Sequence, residues 1–196
     1  MAEPALRYET VQRLSVAEYL ELEKNAETKH EFVNGEVIAM AGATKAHNEI
    51  VSNIIHKIRN CLQGQDCTIY PSDLRVTTPA AKNYFYPDAT VVCGEPQLQP
   101  DVFDTLLNPL IIFEVMSEGT QDNDRGYKFF HYQQIPSLQE YILIDSRTLQ
   151  VEAISRQQVD LWKFEKFNSS TNQLHLTSID CFISLKEIYY RVSLPQ

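Results

Sequence analysis

Tyr84-Phe85-Tyr86-Pro87-Asp88-Ala89-Thr90-Val91-Val92 and, beyond a polar loop, Leu110-Ile111-Ile112-Phe113-Glu114-Val115-Met116-Ser117 decide the fold of this chain. Both stretches read as strands, and each carries one carboxylate. Glu114 sits inside an apolar run whose length and branching suit a strand covered on both faces. An unpaired ionised group there would cost several kcal/mol or would be neutralised by a pKa shift, so something must compensate it. If the two strands are neighbours, Asp88 and Glu114 converge at one spot. Two hard oxygen donors at a sheet edge suit Mg²⁺ or Mn²⁺, which bind through one or two carboxylates and keep waters. Satisfaction of both carboxylates by Arg, Lys or backbone N–H groups is the other reading open at this point.

Upstream, Ser15 and Glu18 form a capping box with Leu14 and Tyr19 as a hydrophobic staple, which predicts a short helix to about Lys24. His30 to Ala39 holds two strand-like runs joined by Asn34-Gly35, the turn pair that accepts φ > 0 at both central positions of a type I′ hairpin. Glu31 lies near this turn, where a carboxylate is ordinarily solvated. Ile50, Ile54 and Ile58, flanked by Val51, Ile55 and Leu62, make the apolar stripe of a helix capped by Thr44. His47 falls in its first turn, where a lone histidine is ordinarily a hydrogen-bonded structural residue. Residues 67 to 76 read as a strand leading through a turn into the Tyr84 to Val92 strand, and 94 to 109 as a loop with no phosphate-binding glycine motif.

Downstream, Ser117 to Asp122 supplies turn and N-cap residues for a helix to about Gln134. Asp124, Lys128 and Tyr132 are spaced to share one face of it, close to the carboxylates, although such an Asp–Lys pair is ordinarily a modest surface ion pair. Leu138 to Asp145 is an apolar strand that a helical crossover places parallel to the Glu114 strand, giving a mixed sheet. The segments 151–154, 159–167 and 173–178 alternate in hairpin fashion. Ser184 with Glu187 is a second capping box ahead of a short last helix.

Composition bounds the function. With 196 residues and 43% hydrophobic content, one domain over 1–196 is expected. No apolar run approaches the roughly 20 residues that span a bilayer, and the amino end lacks a signal-peptide pattern, so a cytoplasmic protein without a membrane partner is expected. Cys61, Cys67, Cys93 and Cys181 include no C-x-x-C pair and do not cluster with histidine, which predicts free thiols in a reducing compartment and argues against zinc. A net charge of −9 counts against broad non-specific nucleic-acid binding, so any such contact needs a local basic patch.

The order of elements resembles the core of the PD-(D/E)XK nuclease superfamily, the restriction-endonuclease-like fold: α/β (α+β), a mixed sheet flanked by helices, with an amino-terminal hairpin and carboxy-terminal antiparallel strands. More closely, the chain is similar to the bacterial restriction-endonuclease family catalogued as domain-of-unknown-function family 820. The motifs that carry this are His30 to Glu36, Pro87-Asp88, Ile112 to Ser117, Asp124 with Lys128 and Tyr132, and Glu140 to Asp145. The chain departs from the superfamily pattern at Met116, where a lysine should follow the second acid; the closer family carries that lysine on the next helix, here at Lys128. The resemblance implies Mg²⁺- or Mn²⁺-dependent hydrolysis of duplex DNA, with Asp88, Glu114 and the Val115 carbonyl on the metal. Lys128 would orient the attacking water or stabilise developing charge, and Glu31 would complete the metal shell. His47, Asp124 and Tyr132 would support these groups, and a homodimer would cut both strands. A catalytically silent DNA-binding or scaffold protein on the same fold is the alternative. A paired-carboxylate glycosidase fits less well, since the chain lacks the size and aromatic cleft segments for one.

Overall fold

The computed structural model describes residues 13–40, 42–100, 102, 104–117 and 123–195. Helix α1 (Val16–Asn25) begins at the expected capping box, with Ser15 and Glu18 bonded reciprocally. Strands β1 (His30–Val33) and β2 (Glu36–Ala39) meet at Asn34-Gly35, whose φ values of 49° and 93° are the positive pair a type I′ turn requires. A Cβ on Gly35 would sit 3.4 Å from the Leu14 carbonyl oxygen. Gly35→Val is therefore expected to lower stability by about 1–3 kcal/mol, the usual cost of forcing a side chain into that region. An unchanged thermal midpoint would contradict the turn assignment.

Helix α2 (Lys45–Cys61) is capped by the Thr44 hydroxyl, which accepts from the His47 N–H, and it buries Ile50, Ile54 and Ile58. Beyond it the structure departs from the expected pair of long strands. Residues 67–76 divide into β3 (Cys67–Pro71) and β4 (Arg75–Thr77), and residues 84–92 into β5 (Asn83–Phe85) and β6 (Ala89–Cys93). The second break falls at Tyr86-Pro87-Asp88, because proline has no N–H to continue a ladder. Within the expected 94–109 loop lies a further short strand, β7 (Thr105–Leu106), paired parallel to β4.

Strand β8 (Ile111–Met116) is buried along its whole length. The segment after it, residues 118–122, lies outside the described residues, and with it most of the expected N-cap region. The helix that follows opens as a π-helical stretch (Asn123–Lys128) and closes as α3 (Phe129–Tyr132), two residues short of Gln134. Then come β9 (Glu140–Asp145), β10 (Val151–Gln158), β11 (Leu161–Phe167), β12 (Gln173–Leu176) and β13 (Cys181–Ser184). Helix α4 (Leu185–Ile188) starts at the second capping box.

In place of one sheet there are two and a hairpin: a five-stranded sheet in the order β2-β1-β5-β4-β7, a six-stranded one in the order β11-β10-β9-β8-β6-β3, and β12-β13. The six-stranded sheet is mixed as expected, with β8 and β9 parallel and its other neighbours antiparallel. Because side chains alternate along a strand, Ile111, Phe113 and Val115 of β8 pack with α2, α4 and the β12-β13 hairpin. Ile112 and Met116 face the other way, into a core with Val76, Phe85, Tyr132 and Tyr141. Glu114 shares their parity and so points into the layer between the two sheets. The chain passes from one sheet to the other at Tyr86-Pro87-Asp88, so the break in the ladder places Asp88 at the seam.

The free-thiol expectation is overturned: Cys61 pairs with Cys181 and Cys67 with Cys93 as disulfides. Sequence separations of 120 and 26 residues hid both, since the first joins the end of α2 to the start of β13 and the second joins opposed residues of β3 and β6. The ground for expecting a reducing compartment is thereby removed. Among the described residues no helix is long and apolar enough to cross a membrane.

Candidate active site

Strands β1 and β8, the amino end of α2, the break ahead of β6 and the helix after β8 bring their polar residues to the seam. Carrying the β6–β8 register one residue beyond Ala89↔Phe113 sets Asp88 opposite Glu114. The Asp88 carboxylate accepts the Val115 N–H at Oδ2 (2.7 Å), and His47 Nε2 lies 3.1 Å from Oδ1. The α2 N-cap thus holds a histidine against the carboxylate at the break. His47 Nδ1 is buried without a hydrogen-bond partner.

Lys128 reaches from the π-helical stretch into the same layer and is 6% exposed, so it is no surface lysine. Its ammonium lies 2.8 Å from Glu31 Oε1, 3.1 Å from Glu114 Oε1 and 3.4 Å from Asp124 Oδ1. The Tyr132 hydroxyl donates to the same Glu114 oxygen at 3.2 Å, and the Tyr86 N–H donates to Glu31 Oε1 at 3.3 Å. Glu31 is therefore no solvated strand end: the Asn34-Gly35 hairpin and the β1–β5 pairing turn it inward. Asp124, Lys128 and Tyr132 share one helix face, while Tyr127 and Phe130 are exposed, as their spacing predicts. Two groups with no signal in the sequence also take part. The Tyr141 hydroxyl donates to the Asp124 carbonyl oxygen (2.9 Å), and the Tyr86 backbone anchors Glu31; Tyr141 reads as one more core residue in the apolar run of β9, which hides its role.

Three buried carboxylates on one ammonium leave an excess of negative charge. Burial pushes the Glu114 carboxyl well above the ordinary glutamate range; Lys128 pulls it back only in part, and Asp124, Asp88 and Glu31 push it further up. For Lys128, burial favours the neutral amine, but Glu114, Glu31 and Asp124 together outweigh it and hold the ammonium charged well beyond its usual range. Burial and the neighbouring Glu114 likewise hold the Tyr132 hydroxyl protonated. The excess of buried negative charge, common to the Glu114 and Lys128 shifts, favours any added positive charge.

This donor set fits a hard divalent ion. Among the described residues no three His, Cys, Asp or Glu side chains form a metal cage by themselves. Mg²⁺ and Mn²⁺ need none, being held by one or two carboxylates with waters and substrate phosphate filling the shell. Both side-chain contacts of Glu114, and both of Glu31, use Oε1, so each Oε2 remains for a further cation.

Residues 16–182 match the family model named Uma2, described as "putative restriction endonuclease". The chain belongs to the Uma2 family. An uncharacterized protein of Synechocystis sp., sll1609, is 37% identical over 143 residues, covering 73% of this chain and 81% of its own. A second from the same organism, slr1290, is 33% identical over 177 residues, 90% of this chain and 92% of its own. Among solved structures, a nuclease described as putative and as belonging to DUF820, from Anabaena variabilis, aligns with a TM-score of 0.75. It is 18% identical and covers 90% of this chain and 97% of its own. At that identity the likeness establishes the fold, a restriction-endonuclease-like mixed α+β architecture, for this Uma2 chain.

Proposed function

We propose that the chain is a metal-dependent endodeoxyribonuclease that hydrolyses phosphodiester bonds in duplex DNA. The observation that carries this reading is the convergence of Asp88, Glu114, Glu31 and Lys128, from two strands, the break ahead of β6 and a helix, on one seam with surplus negative charge. Asp88 and Glu114, with the Val115 carbonyl, would hold Mg²⁺ or Mn²⁺, which when bound lowers the pKa of a coordinated water and neutralises charge on the phosphate. Lys128 supplies a fixed positive charge to the attacking water or the developing anion. Tyr132 orients Glu114, His47 orients Asp88, and Asp124 holds Lys128 at its place. Glu31 completes the shell or positions a water. With one such centre per chain, a two-fold pair of copies is the economical way to cut both strands.

One observation favours a second reading, a catalytically silent DNA-binding or scaffold protein. The Lys128 ammonium already occupies Oε1 of both Glu31 and Glu114, and such an ion lock can be structural. Calorimetric titration with Mn²⁺ separates the two. The nuclease reading expects one site in the wild type, lost or weakened by about 10-fold or more in Asp88→Ala and in Glu114→Ala, in line with removal of a ligand. Undiminished binding in both variants would sink the metal assignment.

A further inference from the structure

Among the described residues, strand β11 is an edge of the six-stranded sheet and pairs with β10 alone. Along it Leu161 is 54% exposed and Phe164 65%, with Val159 in the preceding turn at 78%. Phe129 packs edge-on against both Trp162 and Phe164, so these three rings share one face of the strand, with Leu161 on the other. Natural edges of this length are normally blunted by a bulge, a proline or charged side chains, because unpaired N–H and C=O groups invite another strand; β11 carries Lys163, Glu165 and Lys166, the first two ion-paired within the strand at 2.9 Å. Here the bulge lies in the partner strand, between Arg156 and Gln158, and β11 itself holds no proline.

The charges on β11 have an arrangement that does not repel a like strand. In Leu161-Trp162-Lys163-Phe164-Glu165-Lys166-Phe167, an antiparallel register centred on Phe164 sets Lys163 opposite Glu165 of a second copy, and Glu165 opposite its Lys163. The same register sets Trp162 opposite Lys166, a cation–π pairing, and Leu161 opposite Phe167. Phe164 meets itself on the axis. A register shifted by two residues, centred on Glu165, would instead set Glu165 against itself and Lys163 against Phe167. We propose that β11 is a homodimerisation edge, at which two copies pair antiparallel about Phe164 to form one continuous sheet. Such an interface is isologous, as two-fold symmetry demands. The proposal stands on this strand alone and does not rest on the nuclease reading.

Sedimentation equilibrium on the full chain tests it. The wild type is expected to be a dimer at micromolar concentrations, and Phe164→Glu is expected to weaken association by about 100-fold by removing the central aromatic contact and placing like charges on the axis. Lys163→Glu should weaken it by about 10-fold, and Lys163→Glu with Glu165→Lys should restore it, which a merely misfolded variant would not do. Phe164→Cys should form an interchain disulfide under mild oxidation, since directly opposed strand residues lie within bridging range, whereas Lys166→Cys should not. A monomeric wild type would overturn the proposal and leave the edge to a different partner chain. A dimer indifferent to Phe164→Glu and to both charge variants would overturn it equally.

Discussion

Lys128→Ala is expected to lower metal-dependent DNA cleavage by about 10²-fold or more, the scale on which a fixed transition-state charge acts. It is also expected to lower stability by about 3–5 kcal/mol at neutral pH, because it leaves Glu31, Glu114 and Asp124 buried without their counter-ion. Helical spacing alone places Lys128 in an ordinary surface pair with Asp124, for which under about 1 kcal/mol and no kinetic effect would be expected. The three-carboxylate surroundings decide between these values. Urea unfolding with and without chelator, beside a cleavage assay, measures both effects. Wild-type stability and rate in Lys128→Ala would remove the lysine from the site.

Glu114→Gln is expected to abolish cleavage, about 10²-fold or more, while changing stability in the opposite sense from Lys128→Ala. The folded wild type holds a proton on Glu114 well above its ordinary range. Below about pH 4.5 the group is neutral in both folded and unfolded chains, and its contribution is fully present. As the pH rises the unfolded chain releases the proton first, so stability falls until the raised folded value is passed. Glutamine has no such proton. In the presence of chelator Glu114→Gln should therefore gain stability relative to the wild type as the pH rises from about 4.5 toward the raised folded value, at most about 1.4 kcal/mol for each pH unit of the window. A relative loss over that range would mean that Glu114 is held ionised by its neighbours. Metal binding should narrow the difference by supplying the positive charge that the proton replaces.

Much of this arrangement was legible in the residues. Capping boxes at Ser15 and Ser184, the Asn34-Gly35 turn and the isoleucine stripe of α2 are local devices, written within a few positions of one another, and each forms where its chemistry requires. Glu114 was conspicuous as a charge within an apolar strand, and the parallel placement of β9 followed from the helical crossover between them.

What escaped the sequence depends on which elements meet in space. The division of 67–76 and 84–92 between two sheets turns on Pro87 and on the register of β4 and β5, which no single periodicity reports. Burial of Glu31 requires β1 to pair with β5 against the Lys128 helix, 97 positions away by residue number (128 − 31). The cysteine pairs likewise join residues far apart along the chain. Met116 fills the core beside Tyr132 at 1% exposure, so the amine arrives from the helix, and the seam between the sheets gives it room.

The central claim is that this seam hydrolyses DNA with a bound divalent ion. Its most direct measurement is cleavage of duplex DNA by the wild-type chain with Mn²⁺ or Mg²⁺ against chelator, beside an Asp88→Ala variant shown to melt cooperatively. The expected result is scission that requires the metal and disappears in Asp88→Ala. Scission that persists in the folded Asp88→Ala chain, or a wild type that binds Mn²⁺ and DNA and leaves the duplex intact, would contradict it.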